Sequence, residues 1–212
     1  MPVVIDGSNT PTAGSVTYGD GTEYASTAAG TAGQLLQSNG SSAPSWVTAS
    51  SGFTLGTPVA STSGTSIDFT GIPAGTKQIV INFADVSTNS ASPFLIQIGD
   101  SGGIETTSYK SRYVRFNSGG TAQFDASSFG YINGINVNQG SATLAYGSIT
   151  LTLENATSFT WVATGTLFDF SNADCSMNAG FKSLSAVLDR VRITTVSGTA
   201  VFDNGEINIA YI

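Results

Sequence analysis

Along most of this chain the apolar residues recur two positions apart. Ile79, Ile81 and Phe83 do so, as do Phe94, Ile96 and Ile98, then Ile149, Leu151 and Leu153. Phe159, Trp161 and Ala163 follow, then Val191 and Ile193, and finally Ile207, Ile209 and Tyr211. Successive side chains of a strand point to opposite faces, so this period predicts strands that each bury one face. Gly71–Gly75, Gly99–Gly103, Asn117–Gly120, Ser197–Thr199 and Asp203–Gly205 break the pattern with residues that accept turn conformations. About eight to eleven short strands with turns between them predict an all-β chain, a sandwich of jelly-roll type. Only Phe181, Leu184, Val187 and Leu188 show helical spacing. A single turn or a bend is expected there, ahead of a Val191–Val196 strand. Trp161 alternates with Phe159, so it is expected to point into the core.

Composition supports the same fold class and removes several functions. Ser, Thr and Gly number 29, 27 and 25 of 212 residues, a load that weakens helices while leaving threonine free to build strands. The absence of histidine excludes histidine-based triads and histidine metal ligands. One cysteine, Cys175, excludes an intrachain disulfide and a cysteine-cluster metal site, and is expected as a small buried hydrophobe. A net charge of −7 has the wrong sign for a phosphate backbone, so no nucleic-acid partner is expected. The start, Met1–Asp6, has no basic segment ahead of an apolar run, and no stretch reaches the roughly 20 apolar residues that span a bilayer. Synthesis in a cytosol without a signal peptide, and no membrane insertion, are therefore expected.

Residues 1–50 differ from the rest. They hold 8 Ser, 7 Thr, 7 Gly and 7 Ala, and contain no Phe, Lys or Arg. Ordering costs roughly 1–2 kcal/mol per residue in backbone entropy, which so few large apolar groups cannot offset within one chain. An extended N-terminal arm (1–50) that orders against other chains is expected, ahead of a body spanning 52–212. Within the arm, Gln34–Gln37 reads as a strand, Ser38–Ser41 as a hairpin turn built on Asn39-Gly40, and Ala43–Val47 as an edge return strand carrying Pro44. The apolar residues available for shared packing are Val3, Val4, Ile5, Leu35, Leu36 and Trp46.

No catalytic constellation emerges. Asp169, Asn172 and Asp174 put oxygen ligands in one loop, but without calcium-loop spacing, so a self-capped turn is expected. Gly19–Glu23 reads as a turn as well. Glu154, Asp169 and Asp174 could be nominated for a glycosidase pair, but any acidic β-protein offers such triples, and dispersed surface carboxylates are the expectation. No Ser-x-x-Lys motif serves a serine nucleophile. The chain is read as a non-enzyme with no cofactor. Tyr109, Tyr113 and Tyr131 sit near glycine-rich loops, the first two beside Lys110, Arg112 and Arg115 in the densest basic cluster of an acidic chain. Tyr109, Arg112, Tyr113 and Tyr131 are the candidates for contact with an anionic glycan or a neighbouring subunit.

Two stretches resemble tailed-bacteriophage tail-fibre and virion-surface proteins. The first is Gly30–Trp46, GTAGQLLQSNGSSAPSW. The second runs from Ile72-Pro73-Ala74-Gly75 through Ile96–Gly99, Gly102–Glu105 and Tyr109, then Leu188–Thr194, to Phe202–Tyr211. The resemblance implies a trimeric virion component, attached through its N-terminal arm to other phage structural proteins and presenting a C-terminal domain to a host-surface glycan. The alternative is a capsid decoration or cement protein, its arm laced between capsomers.

Overall fold

The computed structural model describes residues 12–49, 52–116, 119–120, 122–133 and 144–212, and among these no α-helix forms. The chain divides into two compact units, Met1–Gly52 and Phe53–Ile212.

The first unit holds two hairpins. β1 (Thr17–Gly19) pairs with β2 (Tyr24–Ser26), and β3 (Gln34–Asn39) pairs with β4 (Ser42–Thr48). The β3–β4 turn differs from expectation. Asn39 pairs with Ser42, so the loop is Gly40-Ser41, and only Gly40 takes a positive φ, 70°. That is the sign pattern of a type II′ turn, with glycine at its first central position. The Asn39 amide is engaged elsewhere, donating to the Ala43 carbonyl at 2.7 Å. Pro44 sits on a strand of a two-stranded sheet, where an edge is always available.

Trp46 ties the two hairpins together. Its Nε1–H donates to the Ala28 carbonyl at 2.9 Å, and its ring lies against Gly30, where any Cβ would come within 2.7 Å. Leu35 and Leu36 remain exposed, while Val3, Val4 and Ile5 lie outside the described residues. Trp46→Ala should speed amide exchange through β3 and β4. It should leave the thermal transition of the second unit unchanged within about 0.5 kcal/mol, because distant sites act nearly independently.

The second unit is an antiparallel sandwich. Its strands are β5 (Thr54–Leu55), β6 (Val59–Ala60), β7 (Ile67–Thr70), β8 (Gln78–Thr88), β9 (Phe94–Asp100), β10 (Gly103–Ile104) and β11 (Lys110–Phe116). They continue with β12 (Ala122–Ser127), β13 (Tyr131–Asn133), β14 (Ala145–Asn155), β15 (Thr160–Asp169), β16 (Asp174–Ser183), β17 (Arg190–Thr195) and β18 (Phe202–Tyr211). The larger sheet has the order β12-β11-β16-β15-β14-β8-β18-β5, with β6 also on β18. The smaller has the order β10-β9-β17-β7, with β13 also on β9. From β7 to β9 the chain crosses between sheets at every step. It crosses again at β11, β13, β14, β17 and β18. These repeated crossings give the jelly-roll wrapping expected from the sequence, enlarged because β14, β15 and β16 form one continuous meander.

The core follows the alternation. Ile79, Ile81, Ile149, Leu151, Trp161 and Ile207 of the larger sheet meet Ile67, Phe94, Ile96, Ile98 and Ile193 of the smaller. Trp161 is buried, as its phase predicts. Phe181 lies in a strand and not a helix, because it pairs with Val162 of β15 and Lys110 of β11, and the strand ends at Ser183 before a bend. Asp203-Asn204-Gly205, expected as a turn, lies inside β18 as a bulge against β8, with register shifts on either side of Asn204. Asp85 and Gly205 both take positive φ there, 61° and 86°.

Candidate functional site

The outer face of the smaller sheet carries a polar cross-strand row. β17 turns Val191 and Ile193 inward, so Arg192 and Thr194 face out, and β9 turns Gln97 the same way between Ile96 and Ile98. Register then places Asp68, Arg192 and Gln97 side by side across β7, β17 and β9. Arg192 donates Nε–H and Nη2–H to the two Asp68 carboxylate oxygens, each at 2.7 Å. That hydrogen bonding raises the guanidinium pKa further above its ordinary value. Three of its five N–H donors remain for other partners. Gln97 is buried and donates Nε2–H to the Phe129 carbonyl at 2.9 Å. This holds Phe129 at the rim, the residue 60% exposed.

Gln97, Arg192, Thr194 and Phe129 border a cleft of about 430 Å³, which Thr106 and Thr107 also line. The size suits a small ligand. Among the described residues Arg192 is its one charged lining residue, and Asp68 balances that charge.

An ion pair between a buried lysine and a half-buried glutamate holds the loop that carries Thr106 and Thr107. Lys182, 3% exposed on the inner face of β16, donates to the Glu105 carboxylate and also to the Ser183 carbonyl at 2.7 Å. Ser185 N–H donates to the other Glu105 oxygen at 2.7 Å. Burial pushes the Glu105 pKa up, but Lys182 and Ser185 outweigh it and hold the carboxyl below its ordinary range. Behind the loop, Tyr109 donates its hydroxyl to the Glu105 carbonyl at 2.9 Å and accepts from Ile98 N–H at 2.8 Å. Its ring lies under the Lys182 ammonium, 5.6 Å from centroid to nitrogen.

The tyrosines expected as surface contacts are therefore corrected. Tyr109, Tyr113 and Tyr131 are all buried. Tyr109 and Tyr113 share the inward phase of β11 with Ser111 and Arg115, and Tyr131 donates its hydroxyl to the Trp161 carbonyl at 2.9 Å. Burial shifts the phenol pKa of all three upward. The basic cluster is split by the same alternation. Arg115 turns inward, 3.9 Å from Asp174, while Arg112 and Lys110 are exposed on the outer face of the larger sheet. There they border a groove of about 1040 Å³ with Glu154, Val162 and Phe181.

Asp169 caps its own turn, accepting from Ser171 N–H at 2.9 Å and from the Asn172 amide at 2.6 Å. Among the described residues no three His, Cys, Asp or Glu side chains cluster as a metal site. Asp20 likewise caps the Gly19–Glu23 turn, accepting from Thr22 and Glu23 N–H at 2.8 Å each. Cys175 is half-buried on the outer phase of β16, not buried as expected, because its register neighbours Phe168 and Phe116 also face out. Gln97, Arg192 and Phe129 were not picked out by sequence reasoning. The outward phases of the Phe94–Ile98 and Val191–Ile193 runs mark the first two, while nothing local marks Phe129.

No protein family, no curated protein and no solved structure matches the chain.

Proposed function

We propose that this chain is a structural virion protein of the tail-fibre type, a non-enzyme that binds a neutral host-surface glycan in the cleft of the smaller sheet. The observation carrying this reading is the exposed Phe129 ring set beside Gln97 and the Asp68-clamped Arg192. Sugars offer apolar C–H faces that stack on an aromatic ring, and hydroxyls that pair with planar amide and guanidinium groups held in place. Because Asp68 balances Arg192, the cleft suits hydroxyl-rich neutral sugars better than sialylated or sulfated ones. The arm serves for attachment and for homotrimer formation, with Leu35, Leu36 and Trp46 among its contacts. The resemblance of Gly30–Trp46 and Phe202–Tyr211 to phage fibre segments supports the location on a virion.

A glycan array probed with the full-length protein tests the site. Binding to neutral glycans is expected, little changed by salt, and Phe129→Ala should weaken it at least tenfold while leaving the thermal transition in place. Binding that survives Phe129→Ala and Gln97→Ala undiminished in folded protein would reject the cleft. The exposed Leu35 and Leu36 equally fit an arm laced between capsomers. Labelled antibody on intact particles separates the two positions, marking either the tail or the capsid shell.

A further inference from the structure

The outer face of the larger sheet carries two unlike surfaces at opposite edges. On the β15–β16–β11 side, Phe168, Cys175 and Phe116 stand in one cross-strand row, and Thr166, Met177 and Val114 in the next. Val162, Phe181 and Lys110 form a further row, with Arg112 between them and the aromatic end. Cross-strand neighbours lie about 5 Å apart, so these side chains form one continuous surface. Phe116, Phe168, Met177 and Phe181 are all exposed, and Phe170 beyond them is 78% exposed. Contiguous apolar surface on this scale marks an interaction site. Lys110 and Arg112 give it a positive flank, which Glu154 in the same groove only partly offsets.

At the other edge, β18 turns Glu206 outward and ends beside the short strand β5. Leu55 and Ile212 are exposed there, Leu55 by 68%. This edge is apolar, with the Glu206 carboxylate on one flank and Lys77 exposed beside Ile212 at the other end.

We propose that copies of this chain pack head to tail, the Phe116–Phe168–Met177 face of one on the Leu55–Glu206 edge of the next. Lys110 and Arg112 then meet the neighbour's carboxylate. Charge complementarity selects this occupant: the Lys110–Arg112 flank is attracted to the exposed Glu206 carboxylate of a second copy. Two different patches make a heterologous contact, which forms a ring when its rotation closes. The proposal rests on the reading that the chain self-associates, and adds a contact between bodies to the one assigned to the arms.

Zero-length carbodiimide cross-linking of the full-length protein tests it, using an equal mixture of ¹⁴N- and ¹⁵N-labelled chains. Within one copy, Lys110 and Glu206 are separated by five strand spacings, roughly 24 Å, so no intrachain link can join them. A Lys110–Glu206 cross-link of mixed isotope composition is expected. K110E/R112E should reduce it at least tenfold, and the K110E/E206K exchange should restore a link between the same two positions. Sedimentation velocity on the same samples separates the failures. An oligomer lacking this link would overturn the head-to-tail contact while self-association stands, and would leave the two patches to other chains. A monomer would overturn both.

Discussion

Glu105→Ala should be among the most damaging single substitutions in the second unit, lowering its stability by about 3–5 kcal/mol. Lys182 is buried in the folded protein, and its ammonium would keep the Ser183 carbonyl as an acceptor but lose the carboxylate that balances its charge. An uncompensated charge in that position costs far more than the pair contributes, because the desolvation is left without its Coulombic return. For a protein of this size each kcal/mol moves the thermal midpoint by roughly 2–4 °C, so a fall of about 10 °C is expected by calorimetry. Replacing both partners, as in E105Q/K182M, should cost clearly less than E105A, since no charge is then stranded. Equal losses for the two variants would show that the ion pair is not what holds this region.

The same carboxylate sets a pH dependence. Its folded-state pKa is depressed, so its contribution is fully present above the unfolded value of about 4.3 and fades as pH falls through the folded one. Asp100, lowered chiefly by the Ser185 hydroxyl and then by Gly102 N–H, acts in the same direction. Stability should therefore decline below about pH 5. The decline should be shallower in E105Q than in the unsubstituted protein. Because Glu105 also fixes the loop bearing Thr106 and Thr107, E105A should weaken glycan binding even where the protein remains folded.

Gly205→Ala should be the other severe change. A Cβ at this position would stand 2.3 Å from the Asp85 carbonyl oxygen and 2.5 Å from that of Ala84. Both are backbone atoms of the paired strand, so no side chain can swing aside. The φ of 86° adds left-handed strain for any L side chain. Overpacking of about 1–3 kcal/mol and strain of about 1–2 kcal/mol together predict a loss of roughly 2–5 kcal/mol in chemical denaturation. Gly198→Ala supplies the control. Its φ of 68° is similar, but nothing lies within 4 Å of the added Cβ. It should lose only about 1 kcal/mol, the backbone cost without the clash. If the two variants behaved alike, the close approach at the β18 bulge would not be limiting.

The Gly205 bulge also shows where reading the sequence stops. Asp203-Asn204-Gly205 has turn chemistry, and a turn is what those residues predict in isolation. In the folded chain Asn204 donates its amide to the Asp85 carbonyl at 2.8 Å and the strand carries on past Gly205. The same three residues serve a turn or a bulge, and the partner strand, 119 positions away, decides between them.

Alternation by itself determined the all-β class, the burial of one face of each strand, and the buried place of Trp161. These follow from the geometry of a single strand, where neighbouring side chains must point to opposite faces whatever lies around them. The same rule, carried through Tyr109–Phe116, separates the buried Tyr109, Tyr113 and Arg115 from the exposed Lys110 and Arg112. Nearness to glycine-rich loops was a weaker guide than phase. Only the tertiary structure decided which outward residues meet. Asp68 and Arg192 are 124 positions apart, and Gln97 and Phe129 are 32 apart. Arg192 and Gln97 share one cleft, with Asp68 clamping Arg192 from beside it, because β7, β17 and β9 lie side by side in that register. Strand order and register come from long-range pairing of whole faces, and no local pattern of residues encodes them.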